Sequence, residues 1–180
     1  MSSLITAFEV DPRDDDAFVA AWERTRGPRG GTLERALRPD ADFRFVELAD
    51  GAEPGPELRY RAHAGVYEIA REDATPDVAG GVLLINPFEV PEGADERFLA
   101  GWDRAREALA RQRGYLGTRL HRSIAQADFR FVNVARWSSP LMFARALARP
   151  EFSAAAQAIA FPSHPALYLP VDRPEGVPGT

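Results

Sequence analysis

The sequence predicts an α+β fold of two tandem β-α-β-β-α-β units, each the ferredoxin-like arrangement, closed on one another within a single chain. Two observations carry this expectation: an internal repeat, and an apolar pattern that alternates between strand and helix periods in the second copy. Leu4-Ile5-Thr6-Ala7-Phe8-Glu9-Val10 recurs 80 residues on as Leu84-Ile85-Asn86-Pro87-Phe88-Glu89-Val90. At the same offset Phe18 and Trp22 recur as Phe98 and Trp102. The offset then becomes 86, where Gly31-Thr32 matches Gly117-Thr118 and Ala41-Asp42-Phe43-Arg44-Phe45-Val46 returns unchanged as residues 127–132. His63-x3-Tyr67 and His164-x3-Tyr168 close the series at offset 101. Matches in the same order with growing offsets describe a duplication in which the second copy has longer helices.

The elements follow from the second copy. Val82 to Val90 is apolar up to Pro91 and reads as a strand. Phe98, Leu99, Trp102, Ala105 and Leu109 fall at helical spacing from Ala94 to Gln112, and Gly114 closes that helix. Leu116 to Arg122 and Asp128 to Trp137 read as two further strands joined by a hairpin. Pro140 to Ala148 and Glu151 to Ile159 read as helical pieces broken at Pro150. Ala166 to Val171 is the last strand. A ferredoxin-like sheet is covered by helices on one face only, so its other apolar face needs a partner sheet. A second copy supplies it, giving an intramolecular version of a dimeric α+β barrel. In the first copy Gly27-Pro28 shortens the first helix, and Gly51 to Pro56 replaces the second. The expected organisation is a degenerate repeat over 1–70, a linker over 71–81, a complete repeat over 82–171 and a tail over 172–180.

Composition narrows the function. A net charge of −5 argues against a nucleic-acid partner. With no cysteine, disulfides, thiolate metal sites and a cysteine nucleophile are out; with no lysine, so is Schiff-base chemistry. No stretch reaches the ~18 apolar residues of a membrane span, and the N-terminal segment lacks a basic region, so a cytoplasmic protein with no membrane partner is expected. No phosphate loop or nucleophile elbow is present.

Asn133 and Trp137 are four apart on one strand, hence on one face, with Phe129 and Phe131 expected beside them. An asparagine among aromatics needs partners, which a pocket or the neighbouring backbone would supply. His121 is either a proton-transfer residue or a surface histidine of a short strand; at offset 86 its counterpart is Arg35. His63 and His164 open the last strand of each copy, which favours structural use, with substrate contact the alternative for His164. Arg44 and Arg130 read as barrel-interior or interface ion-pairing residues, or as anion contacts. Asp14-Asp15-Asp16 reads as a solvated run suited to a helix start. Three dispersed histidines do not make a metal site.

The runs INPFEVPEG, FLAGWDRAR, GYLGTRLHR and FRFVNVARW, in that order, resemble the antibiotic biosynthesis monooxygenase family over residues 82–171, and more faintly over 4–70. The resemblance implies a dimeric α+β barrel that oxidises polyphenolic polyketide intermediates with molecular oxygen and no cofactor. It implies Asn133, Trp137 and His121 as catalytic residues; Asn86, Phe88, Phe131, Phe143 and His164 are the residues expected to contact the substrate. The family tyrosine six residues after the tryptophan is Phe143 here, and a second-helix arginine is missing. Haem-degrading relatives use a second-helix histidine, and residues 140–160 hold none. A cofactor-independent monooxygenase of aromatic, phenolic substrates is therefore expected, as monomer or homodimer. A non-oxidative polyketide cyclase, an isomerase or a plain binding protein stands as the alternative.

Overall fold

The structure, a computed structural model, describes residues 2–26, 30–51, 55–73 and 80–171. The expected tail over 172–180, most of the linker, Gly27-Pro28 and residues 52–54 lie outside the described residues.

The first repeat comprises β1 (Ser2–Glu9), a short 3-10 turn, α1 (Asp15–Thr25), β2 (Thr32–Ala36), β3 (Phe45–Asp50) and β4 (Arg61–Glu72). The second comprises β5 (Val82–Phe88), α2 (Asp95–Ala110), β6 (Tyr115–Ser123), β7 (Phe131–Trp137), α3 (Pro140–Leu147), α4 (Pro150–Gln157) and β8 (Ala166–Pro170). Pro150 starts α4 at a position where its missing N–H costs nothing. β4 runs two residues into the expected linker.

The eight strands form a closed antiparallel barrel in the order β1-β3-β2-β8-β5-β7-β6-β4. Each repeat is a four-stranded sheet, and the seams are β2 on β8 and β4 on β6, so each repeat joins its last strand to the other's second. Closure leaves no free sheet edge. Alternation splits the side chains into an inner core (Ile5, Val46, Tyr67, Ile85, Val132 and Tyr168 among them) and outer layers beneath the helices.

The repeated ADFRFV run is explained residue by residue. Asp42 accepts from His164 Nδ1 at 2.7 Å, and Asp128 from His63 Nδ1 at 2.6 Å, each across the two repeats. The Phe43 carbonyl accepts from Tyr168 Oη at 3.0 Å and the Phe129 carbonyl from Tyr67 Oη at 3.1 Å, again across the repeats. Arg44 clamps Asp15 through Nε and Nη2, and Arg130 clamps Asp95 in the same way, both at the first turn of a helix. Phe45 and Phe131 stack on Phe18 and Phe98 at 4.5 and 4.3 Å, fastening each helix to its sheet. Val46 and Val132 fill the inner core. Within the run, the aspartate and the first phenylalanine hold the seam, the arginine and the second phenylalanine hold a helix, and the valine fills the core.

Three expectations are corrected by this geometry. Arg44 and Arg130 do form ion pairs, but with a helix start of their own repeat and not in the barrel interior. Asp15 is therefore a paired residue, not part of a solvated run. Phe129 lies in the inner core against Phe43, away from Phe131, because the strand begins only at Phe131.

His63 and His164 each hold two carboxylates at one end of the barrel. The second contacts are Glu9 at 2.9 Å from His63 Nε2 and Glu89 at 2.8 Å from His164 Nε2. Burial pushes the His164 pKa down, but hydrogen bonds to Asp42 and Glu89 outweigh it and leave the pKa above its ordinary value. A raised folded-state pKa contributes stability that is complete below the unfolded value, about 6.5, and is lost as pH rises through the folded value. Thermal midpoints should accordingly fall above about pH 6.5 in the native chain, and a His164→Gln variant should show a flatter profile; equal slopes would remove His164 from this role.

Candidate active site

The second repeat gathers polar groups between its sheet and its helices. Register places Asn86 of β5 directly opposite Asn133 of β7, and Val82 opposite Trp137. Phe131, Asn133, Ala135 and Trp137 share the outer face of β7, toward α2, α3 and α4. From β6, Thr118 Oγ1 donates to Asn133 Oδ1 at 2.6 Å and so fixes the direction of that amide. Phe143 of α3 stands edge-on to Trp137 at 5.2 Å. Phe88 and Phe131 pack on Phe98 at the Asn86 end of the layer.

Two atoms in this layer are buried and make no hydrogen bond: Asn86 Oδ1 and Trp137 Nε1. One accepts and the other donates. A buried polar atom without a partner costs about 1–3 kcal/mol, and such atoms in a native structure call for an explanation. The matching places in the first repeat are Thr6, Glu47 and Gly51. There Glu47 accepts from Trp22 Nε1 at 3.1 Å and from Arg26 Nη1 at 2.6 Å. Arg26 also donates to the Pro56 carbonyl from Nε and Nη2, at 3.0 and 2.8 Å. The first repeat thus fills with its own ion pair the place that Asn133 holds in the second, while Thr6 Oγ1, at the place of Asn86, is itself buried without a hydrogen-bond partner.

The expected residues do not all meet. Asn133, Trp137, Asn86, Phe131, Phe88 and Phe143 lie in this layer. His121 does not: it pairs with Val132 on β6–β7, points to the inner side of the sheet, and lines a cleft with Ile5, Leu48 and Val134. The grouping of His121 with Asn133 and Trp137 is corrected on that ground. Its counterpart is also Glu34, not Arg35, because an irregularity between Tyr115 and Gly117 displaces the second hairpin by one residue. His164 lies at the barrel end with Asp42 and Glu89, so its expected substrate contact in the Asn133 layer is likewise not found.

One neighbour of the site escaped the sequence reading. Tyr115 stands edge-on to Trp137 at 5.7 Å, and its hydroxyl donates to Asp73 Oδ2 at 2.7 Å. Asp73 also pairs with Arg106 at 2.7 Å, so a residue just beyond the first repeat's last strand steadies the tryptophan of the second. A tyrosine at a strand start and an aspartate in an expected linker carry no signal of that contact. Among the described residues no cluster of metal-ligating side chains is formed; at the barrel end the two carboxylates sit on opposite edges of each imidazole. No helix among the described residues is long and apolar enough to cross a membrane.

The architecture is a closed α+β barrel of two fused ferredoxin-like units, with unpartnered buried polar atoms between sheet and helices. Residues 81–158 match the model of the antibiotic biosynthesis monooxygenase family. A candidate monooxygenase from Shewanella loihica is 37% identical, over 54% of this chain and 99% of its own, with a TM-score of 0.46. SnoaB, a cofactor-independent oxygenase from Streptomyces nogalater, is 32% identical over 56% of this chain and 100% of its own, with a TM-score of 0.46. The chain belongs to the antibiotic biosynthesis monooxygenase family, by the family model and these identities over its second repeat. An anthrone oxidase-like protein, 12% identical, shares the fold over 95% of this chain and 91% of its own at a TM-score of 0.66. No curated protein sequence matches the chain.

Proposed function

We propose that the second repeat is a cofactor-independent monooxygenase acting on an aromatic polyketide or a similar phenolic intermediate. The observation that carries this reading is the pair of unpartnered buried atoms, Asn86 Oδ1 and Trp137 Nε1. An acceptor and a donor on one face of a sheet suit a flat substrate bearing one hydroxyl and one carbonyl oxygen. Asn86 Oδ1 accepts a hydrogen bond from the substrate hydroxyl, Trp137 Nε1–H donates to the oxygen on which negative charge collects, and the proton lost on forming the anion goes to solvent water. Stabilising that charge favours the substrate anion, and only an electron-rich anion passes an electron to triplet oxygen at a useful rate. Recombination gives a peroxide, which loses water to leave a quinone: one substrate CH2 and one O2 become one C=O and one H2O. Asn133, oriented by Thr118, holds the ring against Ala135, and the aromatic side chains exclude water. Trp137 and Phe131 are fully buried, so in this reading substrate enters when α3 and α4 move outward. The barrel closes within one chain, which makes a monomer sufficient.

Oxygen uptake with an anthrone substrate, with chelator present and flavin absent, tests the proposal. Asn133→Ala combined with Trp137→Phe should lower turnover by about a hundredfold or more, the scale of losing a preorganised donor. Undiminished turnover would sink the assignment. One observation favours a second reading, a non-oxidative cyclase or isomerase: Phe143 brings no hydroxyl to Trp137. Product mass separates the two, since isomerisation leaves it unchanged.

A further inference from the structure

His121 takes no part in the layer just described, and its surroundings carry an inference of their own. It lines a cleft of about 570 Å3 at one mouth of the barrel, opposite the end held by His63 and His164. Ile5 of β1, Leu48 of β3 and Val134 of β7 give the cleft an apolar floor, and Ser3, Asp50 and Arg119 lie round its rim. Both repeats contribute, so the cleft exists only because the two copies are joined.

His121 is 7% exposed, and its Nδ1 lies 3.3 Å from the Val132 carbonyl oxygen. A carbonyl only accepts, so Nδ1 carries the proton. Burial pushes the His121 pKa below its ordinary value, which keeps the ring neutral near pH 7. Nε2 of a neutral ring protonated at Nδ1 is a bare acceptor. The adjacent cation is not free to draw an anion, because Arg119 is paired with Glu72 at 2.5 Å. The cleft therefore offers an apolar floor and a neutral imidazole acceptor.

We propose that this mouth of the barrel is a second small-molecule site, in which His121 Nε2 accepts a hydrogen bond from a neutral phenol or enol whose ring lies on Ile5, Leu48 and Val134. The site is separate from the Asn86–Trp137 layer, since β7 turns Val134 and Asn133 to opposite sides, and it does not depend on the oxidative reading.

The test uses the full chain labelled with 15N-histidine, whose three histidines are resolved by single substitution. Titration with 1-naphthol under nitrogen should shift the His121 Nε2 resonance saturably, whereas naphthalene, which lacks the donor, should not reproduce that shift. His121→Phe keeps the volume apolar and should weaken naphthol binding about tenfold, the worth of one hydrogen bond. Leu48→Trp fills the floor and should abolish binding with His121 intact, which guards against a misfolded histidine variant. Asn133→Ala should leave the titration as it was. An unmoved His121 resonance, or one that moves equally in Leu48→Trp, overturns the proposal. Loss of binding in Asn133→Ala also overturns it, by placing naphthol beneath the helices, and leaves the oxygenase reading standing.

Discussion

Replacing Glu47 by leucine is expected to destabilise the chain by about 3–5 kcal/mol, the cost of leaving a buried charge without its partner. The Arg26 and Glu47 side chains are 6% and 4% exposed, and their contact of 2.6 Å lies in the layer between the first repeat's sheet and α1. With leucine at position 47, Arg26 keeps its carbonyl acceptors at Pro56 but carries an uncompensated charge beside Phe8, and Trp22 loses a hydrogen bond. The double variant Arg26→Met with Glu47→Leu should recover most of the loss, since a well-packed apolar pair replaces a buried ion pair at little cost. Urea denaturation of the two variants decides the matter. If the double variant is no more stable than Glu47→Leu alone, the loss comes from packing and not from charge.

The same contacts give the two repeats different tasks. In the second, α3 and α4 cover the layer over Trp137 and Ala135 through Phe143 and Phe152. In the first, the corresponding cover includes Leu58 and Tyr60, with Tyr60 edge-on to Phe18 at 5.1 Å, and Arg26 fastens the chain at Gly55 and Pro56. Each Glu47 oxygen already accepts a hydrogen bond, one from the Trp22 indole and one from the Arg26 guanidinium. The first repeat closes the barrel and supplies Asp73 to Tyr115, while its own layer holds the Arg26–Glu47 pair and the unpartnered hydroxyl of Thr6.

The duplication, the element order and the shared face of Asn133 and Trp137 were legible in the sequence, because each rests on identity or on the two-residue period of a strand. What was not legible depended on contacts between the copies. Nothing in ADFRFV says that its aspartate meets the other copy's histidine, or that its first phenylalanine carbonyl meets the other copy's tyrosine. The face of His121 was misjudged for a sharper reason. Alignment by Gly-Thr holds the offset at 86, whereas Arg119 and Thr32 sit opposite equivalent residues, Val134 and Leu48, at an offset of 87. A slip of one residue in a strand exchanges its faces. The irregularity that causes it spans Leu116, an ordinary leucine with no mark of the bulge.

Gly81→Ala is expected to cost about 2–5 kcal/mol, against about 1–2 kcal/mol for Gly80→Ala next to it. Both glycines have positive φ, +82° and +100°, so any other residue pays the left-handed strain at either position. They differ in what a methyl group would meet. At Gly80 it enters open space; at Gly81 it would lie 2.1 Å from the carbonyl oxygen of Trp137, main chain that can yield only by moving β7. Val82 pairs with Trp137 in the β5–β7 register, so the displacement falls on the residue whose indole nitrogen is free in the candidate site. Thermal denaturation should rank the two variants in that order, and Trp137 should be perturbed in Gly81→Ala alone. In the oxygenase reading, oxygen uptake at a temperature where both variants are folded falls only in Gly81→Ala. If both variants lose the same stability, left-handed strain alone is at work and the close approach of Gly81 to β7 does not position Trp137.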